Sequence, residues 1–352
     1  LVTLDMLPED NKTIKRQSGA ENFDKFQYLF TNGFYYQYSR NMLQKNNGDG
    51  TFSETGQLSG VSNTDWSWAA LFGDYDNDGN KDLFVSNGYV KDYTEMDFLK
   101  YSVDRIIRSM HNDSIDPVPV YISKMPTIRI PNYIFQNNGD ETFTKRTADW
   151  GLDKPGISAG AAYADFDNDG DLDLVINNSN DFAEIYKNNS ETLIKNNFLP
   201  VSLQGVAGNE KGIGAKVKVY SGGKIYFQEM SPVRGFQSSS DYMLNFGIGK
   251  NTVIDSVVVI WPDDRMQKIT PVKPNERLLV KQSEAANRWI SDPVTNAAKQ
   301  WFNQTPLNDL THRENTFNDF TVQTLLPNYY SRQGPCIETA DVNNDGLDDL
   351  FI

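Results

Sequence analysis

The sequence predicts an all-β protein built from repeated sheets. An acidic ten-mer occurs three times in the 352 residues, as DYDNDGNKDL (74–83), DFDNDGDLDL (165–174) and DVNNDGLDDL (341–350). The first two copies run directly into the β-rich segments DLFVSN and DLVINN. A second motif, NNGDGTF at 46–52, returns as NNGDETF at 137–143 and has the Asn-Gly and Asp-Gly chemistry of tight turns. Short strands joined by tight turns and repeated along a chain are typical of β-propeller blades.

The spacing of the two motifs indicates an internal duplication. The first two acidic ten-mers start 91 residues apart, and the two NNGD motifs have the same offset. Consequently 22 positions separate Phe52 from Asp74, and 22 separate Phe143 from Asp165. A faint third copy of the turn motif, YKNNSET at 186–192, has no acidic ten-mer at this spacing after it.

Helical insertions explain why the repeat is longer than an ordinary blade. Apolar residues recur at helical spacing in the segment 94–110, with Thr94 as the expected N-cap. A second short helix is predicted within 22–34, ending at Gly33. Such insertions are interpreted as decoration packed on a blade, with a lid or a docking surface for a partner as the alternative.

A different pattern begins near residue 197. Alternating apolar residues flank a Gly-Gly turn in 214–230 and a Pro-Asp-Asp turn in 253–269, which predicts a compact β module. The strand-like LVTL at the start and DDLFI at the end suggest a segment of a longer protein. The expected domains are blades over 1–195, the β module over 196–283, and a linker with the start of a further blade over 284–352.

Composition excludes several classes of function. The formal net charge of −14 argues against nucleic acid as a partner, because phosphate binding requires a basic face. One cysteine and two histidines exclude an intrachain disulfide and a Cys- or His-rich metal site. No apolar run reaches the length of a membrane span, and the serine-hydrolase, zinc-protease and phosphate-loop motifs are absent.

The acidic ten-mers have the pattern of a calcium loop. Ca²⁺ takes about six to eight oxygen ligands at roughly 2.3–2.6 Å. Positions 1, 3 and 5 can point inward, glycine at position 6 allows a sharp turn, position 7 offers a carbonyl, and the aspartate at position 9 closes the cage. An EF-hand would need glutamate at position 12, where this chain has Val85, Ile176 and Ile352. Mg²⁺ fits less well because it demands octahedral geometry, and metal-free Asp/Asn/Gly turns are the remaining alternative.

About three calcium sites are therefore predicted, each acting as a structural staple. The predicted ligands are Asp74, Asp76, Asp78, Asp82 and the Asn80 carbonyl; Asp165, Asp167, Asp169, Asp173 and the Asp171 carbonyl; and Asp341, Asn343, Asp345, Asp349 and the Leu347 carbonyl.

These motifs resemble a known family. The acidic loops, preceded by Phe-Gly or a pair of small residues, and the NNGDGTF turns resemble FG-GAP/VCBS repeats, the blades of integrin-α-like seven-bladed β-propellers. Residues 212–269 resemble the ASPIC/UnbV module, which follows such repeats in the cartilage acidic protein family. The resemblance implies seven-bladed-type propeller blades with helical insertions plus a small β-sandwich-like module. It also implies calcium on the loops and an extracellular or cell-surface location.

Three or four blades can be counted, which is too few to close a ring, and 284–352 could complete a first propeller or begin a second.

Three functions are compatible with this architecture. The first is a calcium-stabilised, non-catalytic surface module for cell adhesion or another kind of protein or glycan binding. The second is a polysaccharide-cleaving propeller enzyme of the lyase type, and the third is an architectural subunit of an outer-membrane assembly. Aromatic residues that could stack on sugars, or pack within blades, are Trp66, Trp68, Tyr89, Tyr93, Trp150 and Trp261.

Overall fold

Strands dominate the fold, as the sequence predicts. The computed structural model describes residues 1–17, 23–111, 115–290, 311–323, 326, 329–334 and 337–351. Its chain divides into two compact units, one formed by Leu1–Glu21 with Gln37–Val294 and the other by Asn22–Tyr36 with Thr295–Ile352.

The first sheet holds the earlier copy of the turn motif. Its three strands lie in the order β1-β2-β3. They are β1 (Val2–Thr3), β2 (Met42–Asn46) and β3 (Phe52–Glu54). Two helices, α1 (Asn11–Arg16) and α2 (Phe23–Thr31), lie between β1 and β2 in the chain, and α2 is the helix predicted within 22–34.

Blade 1 is a four-stranded antiparallel sheet in the order β4-β5-β6-β7. Its strands are β4 (Ser67–Gly73), β5 (Asp82–Asn87), β6 (Tyr133–Asn137) and β7 (Phe143–Lys145). The predicted helical insertion lies between β5 and β6 as α3 (Met96–Met110) and α4 (Val118–Ser123).

The expected N-cap of α3 is wrong by one residue. Glu95 caps the helix, because its carboxylate accepts a hydrogen bond from the Phe98 N–H at 2.9 Å. The Thr94 hydroxyl donates to Asp92 at 2.7 Å.

Blade 2 repeats the inner strands of blade 1. Its strands, in the order β10-β9-β8, are β8 (Ser158–Ala164), β9 (Asp173–Asn178) and β10 (Glu184–Tyr186), and the short helix α5 (Ser190–Leu193) follows. Ala164 pairs with Asp173 just as Gly73 pairs with Asp82. Both hairpins also have a bulge after their first paired residue, Ser67 and Ser158. The offset of 91 residues therefore describes a structural duplication.

The β module consists of two sheets with one core. The first has the order β14-β11-β17 and the second the order β13-β12-β15-β16-β18. The strands are β11 (Asn197–Gln204), β12 (Lys216–Ser221), β13 (Lys224–Glu229), β14 (Met243–Gly249), β15 (Ser256–Ile260), β16 (Arg265–Ile269), β17 (Leu278–Lys281) and β18 (Asn287–Arg288), with a 3₁₀ turn at Gln282–Glu284. Leu199 and Phe246 of the first sheet pack with Val217 and Val259 of the second. This arrangement is β-sandwich-like.

The second unit contains the third acidic ten-mer. A 3₁₀ turn (Asp319–Thr321) is followed by β19 (Glu338–Ala340) and β20 (Asp349–Phe351), which pair around the ten-mer. Within this unit, Phe23 of α2 stacks on Phe320, with 5.2 Å between the ring centroids.

A shared apolar core holds blades 1 and 2 against each other. Leu71 and Phe84 of blade 1 lie in one buried cluster with Leu174 and Ile176 of blade 2. This packing brings the two acidic loops of the first unit close together.

Candidate metal centres

Each acidic ten-mer forms a loop between two paired antiparallel strands. Loop 1 (74–82) joins β4 to β5, loop 2 (165–173) joins β8 to β9, and loop 3 (341–349) joins β19 to β20. The fourth residue of every loop is an asparagine in the left-handed region, a conformation that asparagine tolerates better than most residues. These residues are Asn77 (φ 56°), Asn168 (φ 62°) and Asn344 (φ 64°).

The first aspartate closes each loop. Asp74 accepts hydrogen bonds from the backbone N–H groups of Asp78 at 3.0 Å and Gly79 at 2.9 Å. Asp165 in loop 2 and Asp341 in loop 3 accept the same pair of bonds at 2.9–3.1 Å. All three loops therefore have the same local fold.

The carboxylates converge in loops 1 and 2. One oxygen from each of Asp74, Asp76 and Asp78 lies within 4.8 Å of the others, and a second such group combines Asp165, Asp167 and Asp173. In the described part of loop 3, no three carboxylates converge in this way. Its predicted ligand Asn343 is neutral and instead accepts a hydrogen bond from the Asp345 N–H at 2.9 Å.

Burial makes loop 1 electrostatically strained. Asp74 is 6% exposed and Asp82 is 1% exposed. Burial raises the pKa of Asp82 to about 9, and burial with the charges of Asp78 and Asp76 raises the pKa of Asp74. A nearby cation would favour the ionised form of these carboxylates, and carboxylate oxygens are ligands of the kind that Ca²⁺ takes.

A backbone N–H at or just after the third strand of each blade donates a hydrogen bond to the last aspartate of the loop. Asp82 accepts hydrogen bonds from the Tyr75 N–H at 3.1 Å and from the Asn137 N–H, at the end of β6, at 2.9 Å. In blade 2, Asp173 accepts the equivalent bond from Asn188 at 2.8 Å. Asn137 and Asn188 are the first asparagines of NNGDETF and of the faint copy in YKNNSET. The contact joins residues 55 apart in the chain in blade 1 and 15 apart in blade 2, so both blades form it despite the helical insertion between β5 and β6.

The residue before that asparagine contacts the second aspartate of the loop. Gln136 donates to Asp76 at 2.8 Å in blade 1. In blade 2 the equivalent Lys187 pairs with Asp167 and lies 3.3 Å from Asp169. Lys187 lowers the pKa of Asp167, whereas burial raises the pKa of Asp165.

Loops 1 and 2 pack directly against the β module. A Cβ on Gly79 (φ +95°) would lie 2.4 Å from the Tyr226 ring, and one on Gly170 (φ +101°) would lie 1.8 Å from the Phe198 ring. Glycine at position 6 is thus required by the backbone conformation and by the aromatic ring above it.

Hydrogen bonds join the two loops to the same strand of the module. The Asn77 side chain donates to the Gly170 carbonyl at 3.0 Å, so loop 1 contacts loop 2. Asn245 of β14 donates to the same carbonyl at 3.0 Å, and the Gly249 N–H donates to the Asn77 carbonyl at 2.9 Å. Loop 1, loop 2 and β14 form one junction.

Comparison with known proteins matches this architecture. A model of the FG-GAP-like repeat matches residues 22–85 and 127–176, and the ASPIC and UnbV model matches residues 205–287. The chain combines FG-GAP-like repeats with an ASPIC and UnbV domain. This confirms the resemblance of the acidic loops and of the β module.

Three curated relatives match this chain at low identity. Cartilage acidic protein 1 from Homo sapiens is 25% identical to this chain, and the match covers 64% of the chain and 38% of the relative. The proteins of the same name from Mus musculus and Xenopus tropicalis match at the same identity and coverage. The chain spans well under half the length of these relatives. Among the described residues, every helix is too short or too polar to cross a bilayer.

The residues predicted to offer carbonyl ligands occupy equivalent positions in the three FG-GAP-like loops. The N–H groups of Asn80, Asp171 and Leu347 each donate to the carboxylate at position 5, at 2.7, 3.3 and 2.9 Å. The three ligand sets as a whole remain predictions. Sequence reasoning missed Glu191, whose carboxylate lies beside Asp169 and Asp171. Its only signal is that Glu191 replaces the aspartate of NNGD in the faint copy of the turn motif.

The aromatic candidates fall into different environments. Trp261 is 1% exposed in the core of the ASPIC and UnbV domain, so it packs in a core and does not offer a surface for stacking on sugars. Trp68 packs against Phe236 of that domain, with 4.9 Å between the ring centroids. Trp66 is half-buried and stacks on Tyr89 at 3.6 Å, with Tyr93 edge-on at 6.2 Å. Trp150 packs beside the core shared by the blades.

A substitution at Gly170 tests the contact between loop 2 and the ASPIC and UnbV domain. Gly170→Ala should destabilise the protein by about 1–3 kcal/mol more than Gly151→Ala, because only Gly170 lies under an aromatic ring. Gly151 is the matched control, since it has φ +75° and no atom within 4 Å of an added Cβ. Urea unfolding followed by circular dichroism measures the difference. Equal losses for the two variants would contradict the packing described.

Proposed function

We propose that this chain is a calcium-stabilised, non-catalytic, propeller-type module for protein or glycan binding at the cell surface or outside the cell. The observation that carries the proposal is the pair of carboxylate clusters in loops 1 and 2. Ca²⁺ would supply the positive charge that allows these aspartates to ionise together. Asp74, Asp76, Asp78 and Asp82 would hold it in loop 1, and Asp165, Asp167, Asp169 and Asp173 in loop 2.

The proposed ions have a definite structural task. Both loops lie at the junction with the ASPIC and UnbV domain, where Asn77 and Gly170 are hydrogen-bonded to β14. Repulsion among ionised aspartates would open a loop and disturb these bonds. Calcium would therefore hold the blades against the domain as well as closing each hairpin. A third ion in loop 3, on Asp341, Asn343, Asp345 and Asp349, is proposed by analogy of sequence.

A binding role is favoured over catalysis. Known FG-GAP-like relatives are named for cartilage and acidity, not for a reaction. The aspartates are engaged by backbone N–H groups of their own loops, as structural carboxylates are. The imidazole of His111 contacts the Ile107 carbonyl and that of His312 pairs with Glu314, so the contacts of both histidines are local ones.

The location and the domain boundaries also belong to the proposal. The word cartilage in the names of the relatives favours a place outside the cell. We propose blades over 1–195 and an ASPIC and UnbV domain over 196–283, which the matched ranges support, and a linker with the start of a further blade over 284–352 by analogy of sequence. No observation favours the outer-membrane assembly, and we do not propose it.

Calcium should raise the thermal stability of the chain. A ligand at a hundredfold excess over its dissociation constant stabilises the native state by about 2.7 kcal/mol per site. The melting temperature is therefore expected to rise with calcium and to fall with EDTA, measured by differential scanning fluorimetry. Asp74→Asn should reduce the response, whereas Asp49→Asn, in an exposed turn, should leave it unchanged. An identical melting temperature in calcium and EDTA would contradict the proposal.

Absence of lyase activity is the second expectation. The chain should release no unsaturated sugar ends from a panel of acidic and neutral polysaccharides in calcium buffer. The measurement is the ultraviolet absorbance of the unsaturated ends. Retention on one of the polysaccharides coupled to a gel would support the glycan-binding form of the proposal. Product formation that Asp74→Asn abolishes would overturn the non-catalytic assignment.

A further inference from the structure

A group of three acidic side chains lies on the outer side of loop 2. One carboxylate oxygen from each of Asp169, Asp171 and Glu191 lies within 4.8 Å of the other two. Asp169 also belongs to the predicted loop 2 site, whereas the side chains of Asp171 and Glu191 do not. Glu191 lies in α5, which begins two residues after Asn188, the residue whose N–H donates to Asp173.

The group contains buried oxygens that accept no hydrogen bond. Asp171 is 0% exposed. Its Oδ2 accepts from the Ser190 hydroxyl at 2.9 Å and from the Glu191 N–H at 3.2 Å, but its Oδ1 is buried without a donor. Oε2 of Glu191 is buried and unpartnered as well. Leaving such oxygens without a partner is costly, so the arrangement calls for an additional ligand.

Charge identifies the ligand as a cation. Three carboxylates face one another, and the nearby ammonium group of Lys187 lies 3.3 Å from Asp169 while also pairing with Asp167. Three clustered carboxylate oxygens are the donor set of a hard divalent ion such as Ca²⁺.

Blade 1 lacks the equivalent arrangement. Loop 1 has the neutral Asn80 where loop 2 has Asp171, and the Asn80 amide donates to Asp78 at 3.1 Å. Asp140, the counterpart of Glu191, is exposed and accepts from the Thr142 hydroxyl at 2.6 Å. Asp171 in place of Asn80 and Glu191 in place of Asp140 are two separate differences from blade 1. Both lie in the same cluster of blade 2, which favours a site over a chance grouping of charges.

We propose that blade 2 has a second divalent-cation site, formed by Asp169, Asp171 and Glu191 and adjacent to the ion of loop 2. Asp169 bridges the two ions. The site replaces the outer turn that blade 1 forms with NNGDETF, and it fixes α5 to loop 2. It rests on the proposed function only through Asp169, which also serves the loop 2 ion.

Counting bound calcium ions tests the second site. Native mass spectrometry of the whole 352-residue chain, exchanged into a volatile buffer with calcium, gives the number of ions in each variant. Asp171→Asn, which gives loop 2 the residue of loop 1, should bind one ion fewer than the wild type. Glu191→Gln should also lose one ion, and it keeps the test valid if Asp171→Asn does not fold. Asp140→Asn is the matched control and should lose none.

A loop 1 variant separates this inference from the proposed function. If Asp74→Asn loses one ion while Asp171→Asn and Glu191→Gln lose none, calcium binds the loops but the second site does not exist. In that case the carboxylates of Asp171 and Glu191 share a proton. If none of the variants loses an ion, both the second site and the calcium loops are wrong. Loss of one ion in all three variants, with Asp140→Asn unchanged, supports both.

Discussion

The structure depends on the burial of several carboxylates close together in its acidic loops, where their charges would repel one another. In loop 1, Asp74 and Asp82 are almost fully buried, and their pKa values are raised by burial. Asp49 and Asp140 also accept hydrogen bonds within turns but without this strain, because both lie in exposed turns. The calcium that we propose in loops 1 and 2 would favour the ionised carboxylates, and protonation is the alternative in its absence.

The position of the strained loops gives them a role beyond their own hairpins. Gly79 and Gly170 lie under Tyr226 and Phe198, and Asn77 connects both loops to β14. If the loops bind calcium as proposed, their occupancy would be coupled to the contact between the FG-GAP-like blades and the ASPIC and UnbV domain. The junction is formed by residues that lie between the predicted metal ligands in the same loops.

Much of the fold and part of the site could be predicted from local sequence. The 91-residue offset predicted the equivalent pairings of Gly73 with Asp82 and Ala164 with Asp173, because strand pairing across a short loop is a local property. Thr94 was predicted as the N-cap of α3, but the helix begins one residue later and the carboxylate of Glu95 accepts the capping hydrogen bond from the Phe98 N–H. Glu191 and the rings above the loop glycines were missed, since these contacts join residues far apart in the chain. Only the folded arrangement of the blades and the β module brings them together.

The most direct test is a crystal structure of the chain grown in calcium, with anomalous diffraction data collected at long wavelength. We expect anomalous peaks within about 2.3–2.6 Å of the carboxylate oxygens of loops 1 and 2, with both loops still packed on β14. Water alone among Asp74, Asp76, Asp78 and Asp82 in such a map, with the junction intact, would contradict the account.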